Sequence, residues 1–181
     1  MLKFKELKIK DVKLIKFRNF SDNRGFFQQN YQYGEFSKIG IKNHFIQDNF
    51  SLSKKNVLRG LHYQKKFPQA KLITVITGSI FDVAVDLRKS SPTFGKWVGI
   101  TLSAKNTSHL YIPRGFAHGF LSLDENTIVK YKCDNNYEAS DEYGLIWNDP
   151  FINIKWPKKQ NLIISSKDQL LPKWNDLSFF D

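Results

Sequence analysis

The chain has 181 residues, 41% hydrophobic and 25% charged, which is room for one domain with a substantial core and excludes wholesale disorder. Lys and Arg number 28 against 17 Asp and Glu, giving a net charge of +11 and a pI near 9.6, an excess that favours anionic partners. The lysines are scattered, without a run of five, zinc-finger spacing or an RNA-binding aromatic signature, and no apolar stretch approaches the roughly 18 residues that span a bilayer, so neither nucleic acid nor membrane is the expected partner.

From the N-terminus, Met1 to Lys10 alternates charged with apolar residues and lacks the continuous apolar run of a signal peptide. The single cysteine, Cys133, has no internal disulfide partner, so a reducing cytoplasm is the expected location. Gly34 to Ile39 reads as one or two helical turns. Leu72–Thr77 and Ile80–Leu87 are β-branched runs separated by Gly78-Ser79, the signal of a type II′ hairpin. Residues 96–102, 109–112 and 126–133 alternate in the same way, with turn clusters at Ser90-Ser-Pro-Thr, Pro113-Arg-Gly and Asp134-Asn-Asn. Near the end, Ser166 with Gln169 fits a capping box, and Pro172 limits continuation of that helix. Many short strands at this spacing predict an all-β sandwich or closed barrel with brief helices, in one domain over 1–181.

Strand alternation sorts side chains by face. Phe81, Val83 and Val85 point one way, Asp82, Ala84 and Asp86 the other; an acid beside Ala84 is what a polar cavity lining would show. Thr127, Val129 and Tyr131 share a face. A cavity-lined barrel and a solvent-facing sheet both fit this pattern.

There is no His-x-His pair and no Cys-x-x-Cys, so no metal site of local spacing is expected, and no Gly-rich loop suggests a nucleotide-binding fold. Cys133, on a strand, reads as a small packed residue before it reads as a nucleophile. Two segments carry polar groups in apolar surroundings. Asn56-Val-Leu-Arg-Gly-Leu-His-Tyr-Gln64 places Arg59 and His62 on a strand where burial is costly unless they are paired or used. Strict alternation sends these two to opposite faces, so a shared site requires a bulge at Gly60 or a second subunit. Ile112-Pro-Arg-Gly-Phe-Ala-His-Gly-Phe120 holds His118 at a strand entrance. Taken alone, each histidine also reads as a hydrogen-bonded structural residue.

At these segments the sequence resembles the dTDP-4-dehydrorhamnose 3,5-epimerases, metal-free members of the cupin jelly-roll group. Further matching stretches are Asp22-Asn-Arg-Gly-Phe-Phe27, Gln47-Asp-Asn49, Gln69-Ala-Lys-Leu72, the run from Phe81 to Gly95, and Leu145-Ile-Trp-Asn-Asp-Pro150, in order from about Asp22 to Asp168. The resemblance implies a cupin-type double-stranded β-helix (jelly-roll) barrel and an isomerase that needs no cofactor and no metal. His62 matches the catalytic base, Asp168 the carboxylate that orients it, Tyr131 the general acid, and Lys71 the lysine near the substrate's keto oxygen. Arg24, Gln29, Gln47, Asp48, Asn49, Arg59, His118, Tyr137, Glu142 and Lys167 match positions around the sugar and nucleotide diphosphate. Gln29 is a departure, since relatives usually carry glutamate there; it bears on nucleotide or phosphate contact and not on the proton chemistry.

These residue types suit the implied reaction. A C4 ketone acidifies the hydrogens on C3 and C5, histidine with a reference pKa of about 6.5 is a base at cellular pH, and a carboxylate steadies the imidazolium that forms. A lysine stabilises the enolate oxygen, and a phenol returns a proton to the opposite face. The implied substrate is dTDP-4-dehydro-6-deoxy-D-glucose and the implied product dTDP-4-dehydro-L-rhamnose. The resemblance also implies a homodimer, with strands of residues 1–20 as an arm and a helical tail at 165–181. Two other readings stand beside this one. One is an epimerase acting at C3 or C5 alone, or on another nucleotide-linked 4-keto-6-deoxy sugar or heptose; the other is a non-catalytic barrel that binds anionic ligands.

Overall fold

The computed structural model describes residues 2–181. In chain order the strands are β1 (Lys3–Glu6), β2 (Lys13–Lys16), β3 (Asn19–Asp22), β4 (Gly25–Gln28), β5 (Gln47–Ser53), β6 (Val57–Gln64), β7 (Lys71–Thr77) and β8 (Ser79–Asp86). They continue as β9 (Trp97–Ser103), β10 (Ser108–Ile112), β11 (Phe116–Ser122), β12 (Thr127–Cys133), β13 (Glu142–Gly144) and β14 (Ile163–Ile164). Helix α1 spans Tyr33–Lys38 and α2 spans Ser166–Gln169, with single 3-10 turns at Ala139–Asp141 and Trp174–Asp176. Among the described residues no helix is long and apolar enough to cross a membrane.

Two sheets face each other as a jelly-roll sandwich. One has the order β1-β2-β10-β7-β12-β5, the other β13-β6-β11-β8-β9, with β14 added parallel to β6. Side chains alternate as the pleat requires. Ile73, Val75, Leu110, Ile112 and Val129 of the first sheet meet Ile80, Ala84, Val98, Leu102, Phe116 and Phe120 of the second. The outer face of the second sheet is not wet: Leu58, Leu61, Val83, Val85 and Leu121 pack under Ile152, Ile154, Trp156 and Trp174. The 140–181 segment is therefore a cover for this sheet. It is held by Asp149, which accepts N–H bonds from Phe151, Ile152 and Trp174.

Three expectations change. Gly78-Ser79 does not close a hairpin: β7 pairs with β10 and β12, whereas β8 pairs with β11 and β9, so this link passes the chain from one sheet to the other. Gly78, at φ +76°, supplies a left-handed turn that serves a sheet change as well as it serves a hairpin. The cap of α2 is Ser165, whose side chain accepts the Asp168 N–H at 3.1 Å; of two adjacent serines, it is the one with extended backbone. The C-terminal tail holds one short helix and one 3-10 turn and is otherwise irregular. As for residues 1–20, β1 and β2 extend the edge of the chain's own first sheet through β10, and β3 with β4 forms a separate two-stranded hairpin.

Candidate active site

At one end of the sandwich the apolar core gives way to polar inward-facing residues. Gln47, Asn49 and Ser51 come from β5, Tyr131 and Cys133 from β12, and Lys71 from β7. The facing sheet contributes Arg59, His62 and Gln64 from β6, His118 from β11 and Glu142 from β13. They line a cleft of two joined lobes, about 340 and 540 Å³, and His62, Lys71, Tyr131 and Glu142 border both. Volumes in this range suit a bound small molecule.

Arg59 and His62 share the cleft because β6 carries a bulge. His62 lies opposite His118 and Arg59 opposite Phe120, so Gly60 and Leu61 together face the single residue Gly119. A side chain at position 60 would meet the His118 carbonyl oxygen at 2.6 Å and Gly119 Cα at 2.9 Å, and the backbone there has φ +97°. Glycine is required on both counts. The extra residue turns His62 inward while Leu61 packs into the outer core.

His62 Nε2 lies 2.8 Å from Asp168 Oδ1, and Asp168 Oδ2 accepts the Gly60 N–H at 3.0 Å. Burial alone raises the Asp168 carboxyl, but the bonds from His62, Gly60 and Ser165 outweigh it and hold the group below the usual carboxylate value. An ionised carboxylate only accepts, so the neutral imidazole carries its hydrogen on Nε2 and presents the Nδ1 lone pair elsewhere. Nδ1 lies 4.0 Å from Glu142 Oε1. Glu142 Oε2 in turn accepts from Tyr137 Oη at 2.6 Å and from Lys167 Nζ at 2.5 Å. Burial raises the Glu142 carboxyl, and the bonds from Lys167 and Tyr137 bring it net below its ordinary value. The hydrogen bond to Glu142 pushes the exposed Tyr137 phenol up.

Tyr131 stands on the sheet opposite His62, its phenol raised by burial. Surrounding protein pushes the Lys71 ammonium below the usual lysine value, offset in part by Cys133, Asp82 and Glu142. His118 is bound through Nε2 to both oxygens of Asp82 at 3.0 Å, and Asp82 is fully buried. Arg59 is oriented by bonds from its guanidinium to Ser53 Oγ and the Leu52 carbonyl.

Eleven of the expected site residues thus come together: His62, Lys71, Tyr131, Asp168, Gln47, Asn49, Arg59, His118, Tyr137, Glu142 and Lys167. Three do not. Asp48 lies between the inward-facing Gln47 and Asn49, so the pleat turns it outward, where it pairs with Lys130 and Lys132. Arg24 sits at the exposed turn between β3 and β4, paired with Asp22. Gln29 borders a separate cavity with Phe17, Phe20 and Gln32. Sequence reasoning missed Asp82 as the partner of His118, although the alternation of β8 already set it on the Ala84 face. It also missed Gln64, whose amide bonds to Phe67, Asn136 and Glu138 fix the loop that carries Tyr137.

Residues 6–176 match the family model described as dTDP-4-dehydrorhamnose 3,5-epimerase. A relative of that description from Shigella flexneri is 48% identical over 174 residues, covering 95% of this chain and 96% of its own length. One from Neisseria gonorrhoeae is 50% identical over 91% of this chain, which spans about half of that relative's length. The solved structure of the dTDP-6-deoxy-D-glucose-3,5-epimerase from Legionella pneumophila, in complex with dTDP-4-keto-L-rhamnose, superposes with a TM-score of 0.96 at 41% identity, covering 98% of this chain and 95% of that one. The chain belongs to the dTDP-4-dehydrorhamnose 3,5-epimerase family.

Proposed function

We propose that this protein converts dTDP-4-dehydro-6-deoxy-D-glucose to dTDP-4-dehydro-L-rhamnose by inverting C3 and C5 beside the C4 ketone. The observation that carries the reading is the placement of a carboxylate-bound imidazole, His62, and a half-buried phenol, Tyr131, on facing sheets of one cleft with Lys71 beside both. His62 Nδ1 removes a proton from one face of the ring carbon, and Asp168 steadies the imidazolium. The electrons of the C–H bond pass into an enolate whose C4 oxygen Lys71 stabilises. Tyr131 delivers its proton to the opposite face, and the carbon is inverted. Oxidation state does not change, so the scheme calls for no redox cofactor.

Arg59, Lys167 and His118 supply donors for the diphosphate and sugar, and Tyr137 at the rim offers a ring for the base to stack on. The protein works as a homodimer in the cytoplasm. The β3–β4 hairpin exposes Phe20, Phe26 and Phe27, each more than half exposed, and Phe50 and Leu52 of β5 are equally bare. A two-stranded hairpin with uncovered aromatics is marginal alone, and a second copy would cover it. In that arrangement Arg24 and Gln29 serve the cleft of the other subunit.

Incubation with the 4-keto sugar nucleotide in D2O tests the reading: deuterium should enter both C3 and C5, and His62→Ala should abolish both. Uptake at one carbon alone would assign a single-site epimerase, and no uptake with any nucleotide-linked 4-keto sugar would leave only a binding barrel.

A further inference from the structure

Inverting two carbons of one substrate poses a problem that one base and one acid do not solve. After the first inversion His62 holds the proton taken from carbon, and Tyr131 is a phenolate. Before the second, the imidazolium must lose that proton and the phenolate must regain one, with solvent closing the balance. Two carboxylates line the cleft. Asp168 is fully engaged, one oxygen on His62 Nε2 and the other on the Gly60 N–H. Glu142 is half engaged: Tyr137 and Lys167 both bind Oε2, while Oε1 has no hydrogen-bond partner among the described residues and faces His62 Nδ1 at 4.0 Å. The other neighbours are unsuited to accept a proton. Lys71 serves the C4 oxygen in this scheme, Lys167 is already bound to Glu142, and His118 is committed to Asp82.

We propose that Glu142 acts through His62 as its proton outlet. The imidazolium N–H bond at Nδ1 breaks as an O–H bond forms at Oε1, directly on a small side-chain movement or through one water, and the proton leaves to solvent past the exposed Tyr137. Tyr137 and Lys167 clamp the other oxygen, so Oε1 stays aimed at the base; the ionised carboxylate also favours the imidazolium while it lasts. Glu142 is thus a positioning residue, distinct from the groups that touch the reacting carbons, and the inference rests on His62 being the base.

The test uses the full-length enzyme and the same D2O assay. Glu142→Gln keeps an acceptor for Tyr137 and Lys167 but cannot carry the proton. Its kcat should fall about tenfold or more with KM within about threefold of wild type, and released sugar should be enriched in molecules inverted at one carbon. Glu142→Ala should recover turnover when sodium formate is added, since a small carboxylate fits the vacated space; should this variant not fold, the Gln variant alone decides. Doubly inverted product from Glu142→Gln at the wild-type rate, a loss confined to KM, or a folded Ala variant indifferent to formate would each overturn the inference. Wild-type exchange separates the two levels: if it is absent, the epimerase reading fails, and if it is present and depends on His62, only the role of Glu142 is in question.

Discussion

Asp168→Asn exchanges one carboxylate oxygen for an NH2 group and tests the tautomer on which the base depends. The carboxylate makes two bonds, to His62 Nε2 at 2.8 Å and from the Gly60 N–H at 3.0 Å. An amide has one acceptor and one donor end. With its oxygen on Gly60, the Asn NH2 faces His62 Nε2, and the ring must carry its hydrogen on Nδ1, the nitrogen that faces the cleft. With the amide flipped, two N–H donors oppose each other at a buried position, at a cost of about 1–3 kcal/mol. The first arrangement satisfies every group and is the one expected. It silences the base while leaving the fold intact. The comparable tautomer error in a serine-protease triad lowers kcat by about 10⁴, which corresponds to ~5.5 kcal/mol of barrier. We expect a kcat loss of about 10³–10⁴ at both carbons with KM little changed, measured by NMR of deuterium wash-in, and a circular dichroism spectrum like wild type. A variant within about threefold of wild-type kcat would refute the assignment of Asp168 as the orienting carboxylate.

Tyr131→Phe should lower product formation by about 10²–10⁴ while proton removal from carbon suffers less; equal losses in a D2O time course would remove the phenol as the donor. Gly60→Ala should lower stability by about 1–3 kcal/mol in a denaturant melt, because the added methyl meets backbone at 2.6 and 2.9 Å on a strained φ; a melt like wild type would contradict the bulge. His109 gives a pH test. Burial lowers its pKa from 6.5 to about 4; Nδ1 meets Thr74 Oγ1, and Nε2 has no partner among the described residues. The folded state therefore keeps the ring neutral while the unfolded chain takes up a proton. Stability is whole above pH 6.5 and falls as the pH drops toward 4, by about 3 kcal/mol. In His109→Gln that part of the slope should vanish in melts taken across the same range, and an unchanged slope would place it elsewhere.

Strand positions were legible because the apolar alternation of β7 to β12 is strong, and the site residues on them followed from family motifs laid over that alternation. What sequence did not carry is non-local. Gly78 first in a two-residue loop looks the same whether its flanking strands pair or part to different sheets, and only the partners β10 and β11, about 30 to 40 residues on, decide it. Ser165 and Ser166 are equal candidates for a cap until backbone angles choose. Asp48 is a different case: Gln47, Asp48 and Asn49 are consecutive on one strand, so alternation alone forbids all three from facing the cleft, and a colinear match to a motif concealed that. Arg24 and Gln29 were legible as motif residues but not as residues outside the chain's own cleft, because their hairpin belongs to neither large sheet.

The net charge of +11 gave little information for a related reason. Many lysines away from the cleft are surface groups, some paired with acids as Lys13 is with Glu6 and Lys38 with Glu35. Function depends on a different property of the fold. Inversion at carbon requires an acceptor and a donor of protons on opposite sides of a flat intermediate, and a single sheet or a helix bundle face cannot readily offer both. A sandwich can, because its inner faces oppose each other by construction, about 10 Å apart where packed. Where Val129 gives way to Tyr131 and Cys133 along β12, and the bulged β6 opposite turns both Arg59 and His62 toward the cleft, the same opposition that fills the core elsewhere holds a ring between two proton carriers. The bulge at Gly60 is what aligns the base with that slot, so the loss of one backbone irregularity would separate Arg59 from His62 and dissolve the site without touching a side chain that does chemistry.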